Sequence, residues 1–387
     1  MRRLPVQLAR HALARIRNEL TAPAFARRAT PHRDLPEGAV ALFFATGPDN
    51  AYQFEQWRRP LERLAEQQPV FVLVDRPDTG ALILRTSTLP VALARGSAPL
   101  EALVRERDVR VVLYCNQVEP NFRMLRFAAP VHVQIGHGES DKASSVSNQH
   151  KAYDLVFVGG EAARQRLAAA LRGFDADRRT VLVGRPQLDH HYDGAPDWPR
   201  SSGRRVLYAP TWQGDRPSIA YGSLASHGVA LVKALLADPD VRVIYRPHPR
   251  TGTASPAEAA ADQQIRALLG HAGNRHLVDL GPYGWQWEFA DVCVTDISAV
   301  AYDWLATGKA LVVTEPVDPL AYRPQSPLLD RLPRLSADQA GEILSVLGHL
   351  DASSSTLVEL SHYYFGDTAA GASTFRFQAA IADALRR

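Results

Sequence analysis

The chain has 387 residues, 46% of them hydrophobic and 22% charged, with 27 Pro and 25 Gly, a globular composition that excludes collagen-like, coiled-coil and disordered chains. The length exceeds what one core usually fills, so two domains are expected, and no apolar run approaches the roughly 20 residues of a membrane-spanning helix. The net charge of +3 is uneven: residues 1–33 carry eight arginines against Glu19, leaving 36 basic and 40 acidic residues in the other 354, so a basic patch for nucleic acid finds little support in the body.

Within residues 1–33, Leu4, Leu8, Ala12, Ile16 and Leu20 recur every fourth position while Arg3, Arg10, Arg15 and Arg17 project elsewhere, which predicts an amphipathic helix with a basic face. The segment lacks the apolar stretch of a secretory signal and is expected to be retained. Two roles fit it: peripheral attachment to the anionic cytoplasmic face of a membrane, to which each Arg contributes about 1 kcal/mol, or packing as a leader helix on its own body.

From residue 34 to 186, short runs of Val, Leu and Ile alternate with helical patterns. Strands are expected at Val40–Ala45, Val70–Asp75, Val109–Cys115, Val131–Ile135, Leu155–Gly159 and Thr180–Val183, with helices near Ala51–Gln68, Ala98–Arg107, Asn121–Ala128 and Glu161–Leu171. Continuous apolar strands separated by helices predict a parallel sheet covered on both faces. Residues 187–203, polar and containing Pro196 and Pro199, are expected to link the domains, with the vicinal His190 and His191 facing solvent.

The alternation restarts over 204–365. Strands are expected at Val206–Ala209, Val241–Tyr245, Val292–Thr295 and Ala310–Val313, and helices near Ser223–Leu236, Ala257–His271, Ser298–Thr307 and Ala337–Leu350. The fold class is therefore α/β, two tandem Rossmann-like doubly wound domains facing a cleft, with a last helix over 366–387 returning to the first domain. Cys115 and Cys293 lie in or beside apolar runs and read as buried free thiols, which excludes a cysteine metal cage.

Ligands of open α/β sheets bind beyond the carboxyl ends of the strands. The residues found there are Gly136-His137-Gly138-Glu139, Pro210-Thr211-Trp212, Arg246-Pro247-His248-Pro249-Arg250 and Asp296-Ile297-Ser298-Ala299. His137, between glycines that permit close backbone approach, has the side chain of a base near neutral pH, although a lone His is more often structural. Arg246, His248 and Arg250 on a Pro-braced loop fit a phosphate clamp or simply a rigid turn. Asp296 and Ser298 open a helix, where free N–H groups favour a phosphate and where ordinary N-capping explains the same letters. Thr211 and Trp212 fit either a ligand contact or a cap and a packing aromatic. Dinucleotide and P-loop glycine fingerprints and protein metal-site patterns are absent.

With these clusters in this order, the chain resembles the CDP-glycerol glycerophosphotransferase family, teichoic acid primases and polymerases of glycosyltransferase-B-type fold. The matching residues are His137-Gly138, Tyr208-Ala209-Pro210-Thr211-Trp212, Arg246-Pro247-His248-Pro249 and Thr295-Asp296-Ile297-Ser298-Ala299-Val300 with Asp303, and more weakly Gly366-Asp367 with Ser373 and Arg376. It departs from the family at Glu139 and Ala299, where hydroxyl residues are usual. The resemblance implies transfer of a polyol phosphate from a CDP-polyol donor to a hydroxyl of a lipid-linked or polysaccharide acceptor, with release of CMP. His137 would be the base, with His248 also catalytic. Gly138, Thr211, Arg246, Asp296, Ser298, Asp303, Ser373 and Arg376 would hold the donor and its phosphates. Mg²⁺ accompanying the donor would leave little protein signature. A sugar-nucleotide glycosyltransferase or epimerase of the same fold, and a non-catalytic nucleotide-binding homologue, are the alternatives at this stage.

Overall fold

The computed structural model describes residues 16–142, 145–199, 203–350 and 355–387. Its first sheet contains β1 (Val40–Phe44), β2 (Val70–Val74), β3 (Val91–Leu93), β4 (Val111–Tyr114), β5 (Val131–Gln134), β6 (Leu155–Val158) and β7 (Thr180–Leu182), in the order β3-β2-β1-β4-β5-β6-β7 with every pair parallel. Every residue of β1, β2 and β4 is buried. That follows from their unbroken apolar runs, which need cover on both faces. Helices Ala51–Leu64 and Ser97–Glu106 supply it, turning Phe54, Trp57 and Leu61, and Leu100, Leu103 and Val104, inward.

The second sheet contains β8 (Arg204–Ala209), β9 (Val241–Tyr245), β10 (Leu277–Val278), β11 (Val292–Thr295), β12 (Ala310–Thr314) and β13 (Arg334–Leu335), ordered β10-β9-β8-β11-β12-β13 and parallel throughout. Strand order reverses between β1 and β4 in one sheet and between β8 and β11 in the other. Those two crevices are the binding positions of doubly wound sheets.

The differences from the sequence reading lie mostly at edges. Strands β3, β10 and β13 have two or three residues each, too short for an apolar run to announce them. Helices Pro77–Thr86, Trp285–Phe289, Pro327–Arg331 and Ser355–Phe365 were also not expected. The helix expected at Ala337–Leu350 is a 3-10 turn at Ala340–Glu342 followed by Ile343–Gly348, and the one expected from Ser223 begins as a π-turn at Leu224–Gly228. Residues 187–199 pack in part on the body: Gln187 is fully buried and Tyr192 nearly so, with the Tyr192 hydroxyl donating to the Gln187 carbonyl at 2.8 Å and its ring edge-on to Tyr283. His191 faces solvent beside Glu288, whereas His190 is half-buried.

Helix Ala372–Leu385 inserts Phe377, Ala380, Ile381 and Ala384 into the core of the first sheet, where Phe377 meets Trp57 and Phe157 at ring distances of 5.2 and 6.2 Å. The expected leader helix falls partly outside the described residues, which begin at 16. Its described part, a helix over 16–26, docks through buried Phe25 and through Arg17 on Asp78 at 3.2 Å. Ile16 and Leu20, two members of the predicted apolar stripe, remain exposed. Among the described residues no helix is long and apolar enough to cross a membrane.

Candidate active site

The carboxyl ends of both sheets open onto one cleft of about 1380 Å³, lined by His137, Gly138, Thr211, Arg246, His248, Ser298 and Asp303. His137 and His248 come from different domains and meet across one side chain. Tyr52, at the start of helix Ala51–Leu64, lies edge-on to both imidazoles, with ring centroids at 6.1 Å and 5.7 Å.

The two histidines are neutral and oppositely equipped. Burial, reinforced by Arg185, lowers the His137 imidazole to about 4, with the backbone of Cys115 as its hydrogen-bonding partner. A ring N–H turned to that carbonyl leaves the other nitrogen with a free lone pair. Burial, with Lys142 and Arg250 nearby, lowers His248 to about 3. Its Nδ1 accepts the backbone N–H of Arg250 at 3.0 Å, so the proton of the neutral ring sits on Nε2, where it serves as a donor. Trp212 stacks on His248, with rings 6.4 Å apart and 27° between planes, and the Arg250 guanidinium lies 3.6 Å above Trp212. Arg250 and His248 therefore pack on the same indole.

Arg246 is fixed by Asp279 at 2.5 Å and by the Gly281 carbonyl at 3.1 Å. Lys142, on the loop after His137, is lowered by burial to about 8 and lies 5.1 Å from the Tyr221 ring centre. The domains are joined at the cleft by Arg185 and Asp303, both almost fully buried. Arg185 Nε and Nη2 donate to the two Asp303 oxygens at 2.7 and 3.0 Å, and Nη2 also reaches the His137 carbonyl at 3.1 Å. Tyr283 donates to Asp303 at 3.0 Å. Gly138 passes so close to the opposite domain that a Cβ there would sit 2.7 Å from the Ala299 Cβ.

A family model described as CDP-glycerol:poly(glycerophosphate) glycerophosphotransferase matches residues 128–323, half of the chain and nearly all of the cleft loops above. The chain belongs to this family. It is a transferase with a glycosyltransferase-B-type fold, and the solved structures agree on that fold. The wall teichoic acid polymerase TagF aligns over 99% of this chain and 97% of its own at 12% identity and a TM-score of 0.59. A candidate UDP-N-acetylglucosamine 2-epimerase from Listeria monocytogenes aligns over 90% and 97% at 14% identity and 0.61, and a glycosyltransferase from Rickettsia africae over 91% and 99% at 9% and 0.54. No curated protein matches the sequence.

Three of the residues expected to hold donor phosphates in the transferase lie elsewhere. Asp296 is fully buried, and its oxygens accept the Thr211 and Ser223 N–H groups at 2.7 and 3.2 Å and the Thr314 hydroxyl at 2.6 Å. It ties the segment after β8 and the loop after β11 to the last residue of β12 beneath the cleft. Ser373 is buried against Gly184, and Arg376 donates to the Phe365 and Asp367 carbonyls and to Ser373 Oγ at 2.9 to 3.2 Å. These two residues lock the tail helix to the turn before it. Glu139, which would have added negative charge beside an anionic donor, is paired with Arg166 at 2.9 Å and accepts the Gly159 N–H at 3.0 Å. Ser298 is on the cleft at the helix start, with Oγ 3.3 Å from Thr295 Oγ1.

Tyr52, Lys142 and Arg185 are cleft residues the sequence reading passed over. Tyr52 lies eight residues past β1, in the first turn of the helix that follows. Lys142 sits five residues past His137 in a polar run, and Arg185 just past β7. The strand-end rule that singled out the other loops applied to Arg185, three residues past β7.

Proposed function

We propose that this protein transfers a polyol phosphate, glycerol phosphate or ribitol phosphate, from a CDP-polyol to an acceptor hydroxyl and releases CMP. Two neutral histidines packed on the same Tyr52 ring in one cleft carry this reading, because transfer of a phosphoryl group to a hydroxyl is served by a proton acceptor for the hydroxyl and an N–H donor for the phosphoryl oxygens. Family membership supports it, as does the TagF structure soaked with CDPG.

In this mechanism the acceptor oxygen bonds to the phosphorus that bears the polyol, and its proton passes to the free nitrogen of His137. The bond from that phosphorus to the bridging oxygen breaks, its electron pair leaving on CMP. His248 Nε2–H, Arg246 and Lys142 stabilise the phosphoryl and leaving oxygens, with Thr211 and Ser298 as neutral contacts. Asp303 acts through Arg185, which holds the His137 backbone in place.

Residues 1–33 then bring the cleft to a membrane-borne acceptor on the cytoplasmic face. The exposure of Ile16 and Leu20 in the described part of that segment favours this role. Purified protein incubated with CDP-glycerol or CDP-ribitol and a saccharide acceptor is expected to release CMP, with His137→Ala at least 1000-fold slower. Full activity in His137→Ala would refute the assignment of the base. Deleting residues 1–33 is expected to abolish sedimentation with anionic vesicles at low salt, and unchanged sedimentation would refute the membrane role.

A further inference from the structure

The second sheet's crevice, between β8 and β11, carries Thr211 and Ser298 and faces the cations of the cleft. In the equivalent crevice of the first sheet, between β1 and β4, the described residues lining the cleft include the amides Gln53 and Asn116, beside Tyr52 and, farther along the helix, Glu55. Gln53 is in the first turn of helix Ala51–Leu64, which follows β1, and Asn116 follows β4; each is almost fully buried, and Asn116 Nδ2 donates to Gln53 Oε1 at 3.0 Å. Gln134 at the end of β5, Gln56 on helix Ala51–Leu64 and Gln187 past β7 line the same cleft.

The hydrogen bonding of this wall is incomplete. Asn116 Oδ1, Gln56 Oε1 and both polar atoms of Gln187 are buried and without a partner, although Asn116 is 3% exposed and Gln187 0%. Buried amide groups are normally satisfied, and an unsatisfied one costs about 1–3 kcal/mol. Four such atoms along one wall of a cleft indicate hydrogen bonds that a ligand supplies.

The wall also adjoins the reacting centre. Cys115, whose backbone orients His137, directly precedes Asn116, and Gln53 Nε2 lies 3.4 Å from the Tyr52 hydroxyl. Its titratable neighbour His150 is lowered by burial and hydrogen-bonded to Gln117. Among the described cleft arginines, Arg185, two residues before Gln187, is paired with Asp303, Arg166 is paired with Glu139 and Asp141, and Arg85 is exposed.

We infer that this amide wall is the acceptor subsite and that it selects an uncharged polyhydroxylated terminus, a sugar or polyol residue carrying no phosphate next to the attacking hydroxyl. Amides both donate and accept, as hydroxyl groups do, and buried amides without a cation penalise a phosphate that must be desolvated to enter. Charge on the acceptor is accommodated only farther out, beside Arg85. The enzyme accordingly adds its first unit to a neutral residue and discriminates against its own product, whose new terminus carries a phosphodiester. This inference rests on the proposed transfer reaction.

The test uses the full-length protein, CDP-glycerol and two synthetic acceptors with the same alkyl-linked sugar, one with a free terminal sugar and one capped with glycerol phosphate. CMP release is expected to have a kcat/KM at least tenfold higher with the uncapped acceptor, and the product is expected to stop at one added unit. Equal or faster turnover of the capped acceptor, or a ladder of added units, overturns the inference while leaving the transfer reaction standing. No CMP release with either acceptor overturns the transfer reaction, and the subsite with it. Asn116→Ala and Gln187→Leu, checked for native circular dichroism, are expected to raise the acceptor KM at least tenfold and move the donor KM less than twofold. Equal increases in both KM values would return these amides to a structural role.

Discussion

At the scale of single residues, the cleft sets its own pH range. His137 is held to about 4 by burial, so its free nitrogen is available throughout the neutral range. Lys142 is held to about 8, so its charge is lost as pH rises through that value. The expected profile of kcat/KM is flat from about pH 5 to 7.5, falls on the acid side toward the His137 value and falls on the alkaline side near 8. In Lys142→Arg, where the cation does not titrate, the alkaline fall should disappear; its persistence would assign that limb to another group. His137 was legible from its flanking glycines and its place after a strand. Asp303 was legible as a residue but not in its role, because its partner Arg185 is 118 positions away and only the folded chain brings them together. Asp303→Asn leaves Arg185 buried without a counter-charge, and a loss of about 3 kcal/mol in urea unfolding is expected.

At the scale of elements, the long buried strands could be read because two-sided burial writes itself as an unbroken run of Val, Leu and Phe. Of the edge strands, β7 could be read from Thr180–Val183, whereas β3, β10 and β13 could not, since two or three paired residues leave no period to detect. Asp296 shows the same limit within the site: its letters fit a helix cap or a phosphate contact, and the three groups that occupy its oxygens come from elsewhere in the chain. Gly138 and Ala299 make a more specific claim about how the elements meet. Loop and helix approach until only a hydrogen fits between Gly138 and the Ala299 methyl. Gly138→Ala is expected to lower kcat/KM at least tenfold by pushing the His137 loop off the helix start. Adding Ala299→Gly should restore a large part of that loss, and additive effects in the double variant would show that the contact does not position the loop.

At the scale of the whole molecule, the chain crosses between domains twice, through residues 187–199 and again before helix Ala372–Leu385. Phe377, fully buried against Trp57 and Phe157, makes the end of the sequence part of the first core. Phe377→Ala should therefore cost about 3–5 kcal/mol in urea unfolding, and a cost below 1 kcal/mol would mean that the tail helix is only loosely docked. Burial holds His137 to about 4, His248 to about 3 and His276 to about 4, against an ordinary 6.5. Below pH 6.5 the unfolded chain binds protons that the folded one does not. The stability these groups contribute is thus complete above about 6.5 and is lost as pH falls toward 4, which a falling Tm over that window would register.

What leaves the donor decides between moving a phosphate and moving a sugar on this shared fold. Purified protein, a CDP-polyol and an uncharged sugar acceptor should yield CMP and a new phosphodiester in equal amounts, followed together by chromatography and ³¹P NMR. Turnover of a sugar nucleotide instead, with release of a nucleoside diphosphate and no phosphodiester, would contradict the mechanism built on His137 and His248.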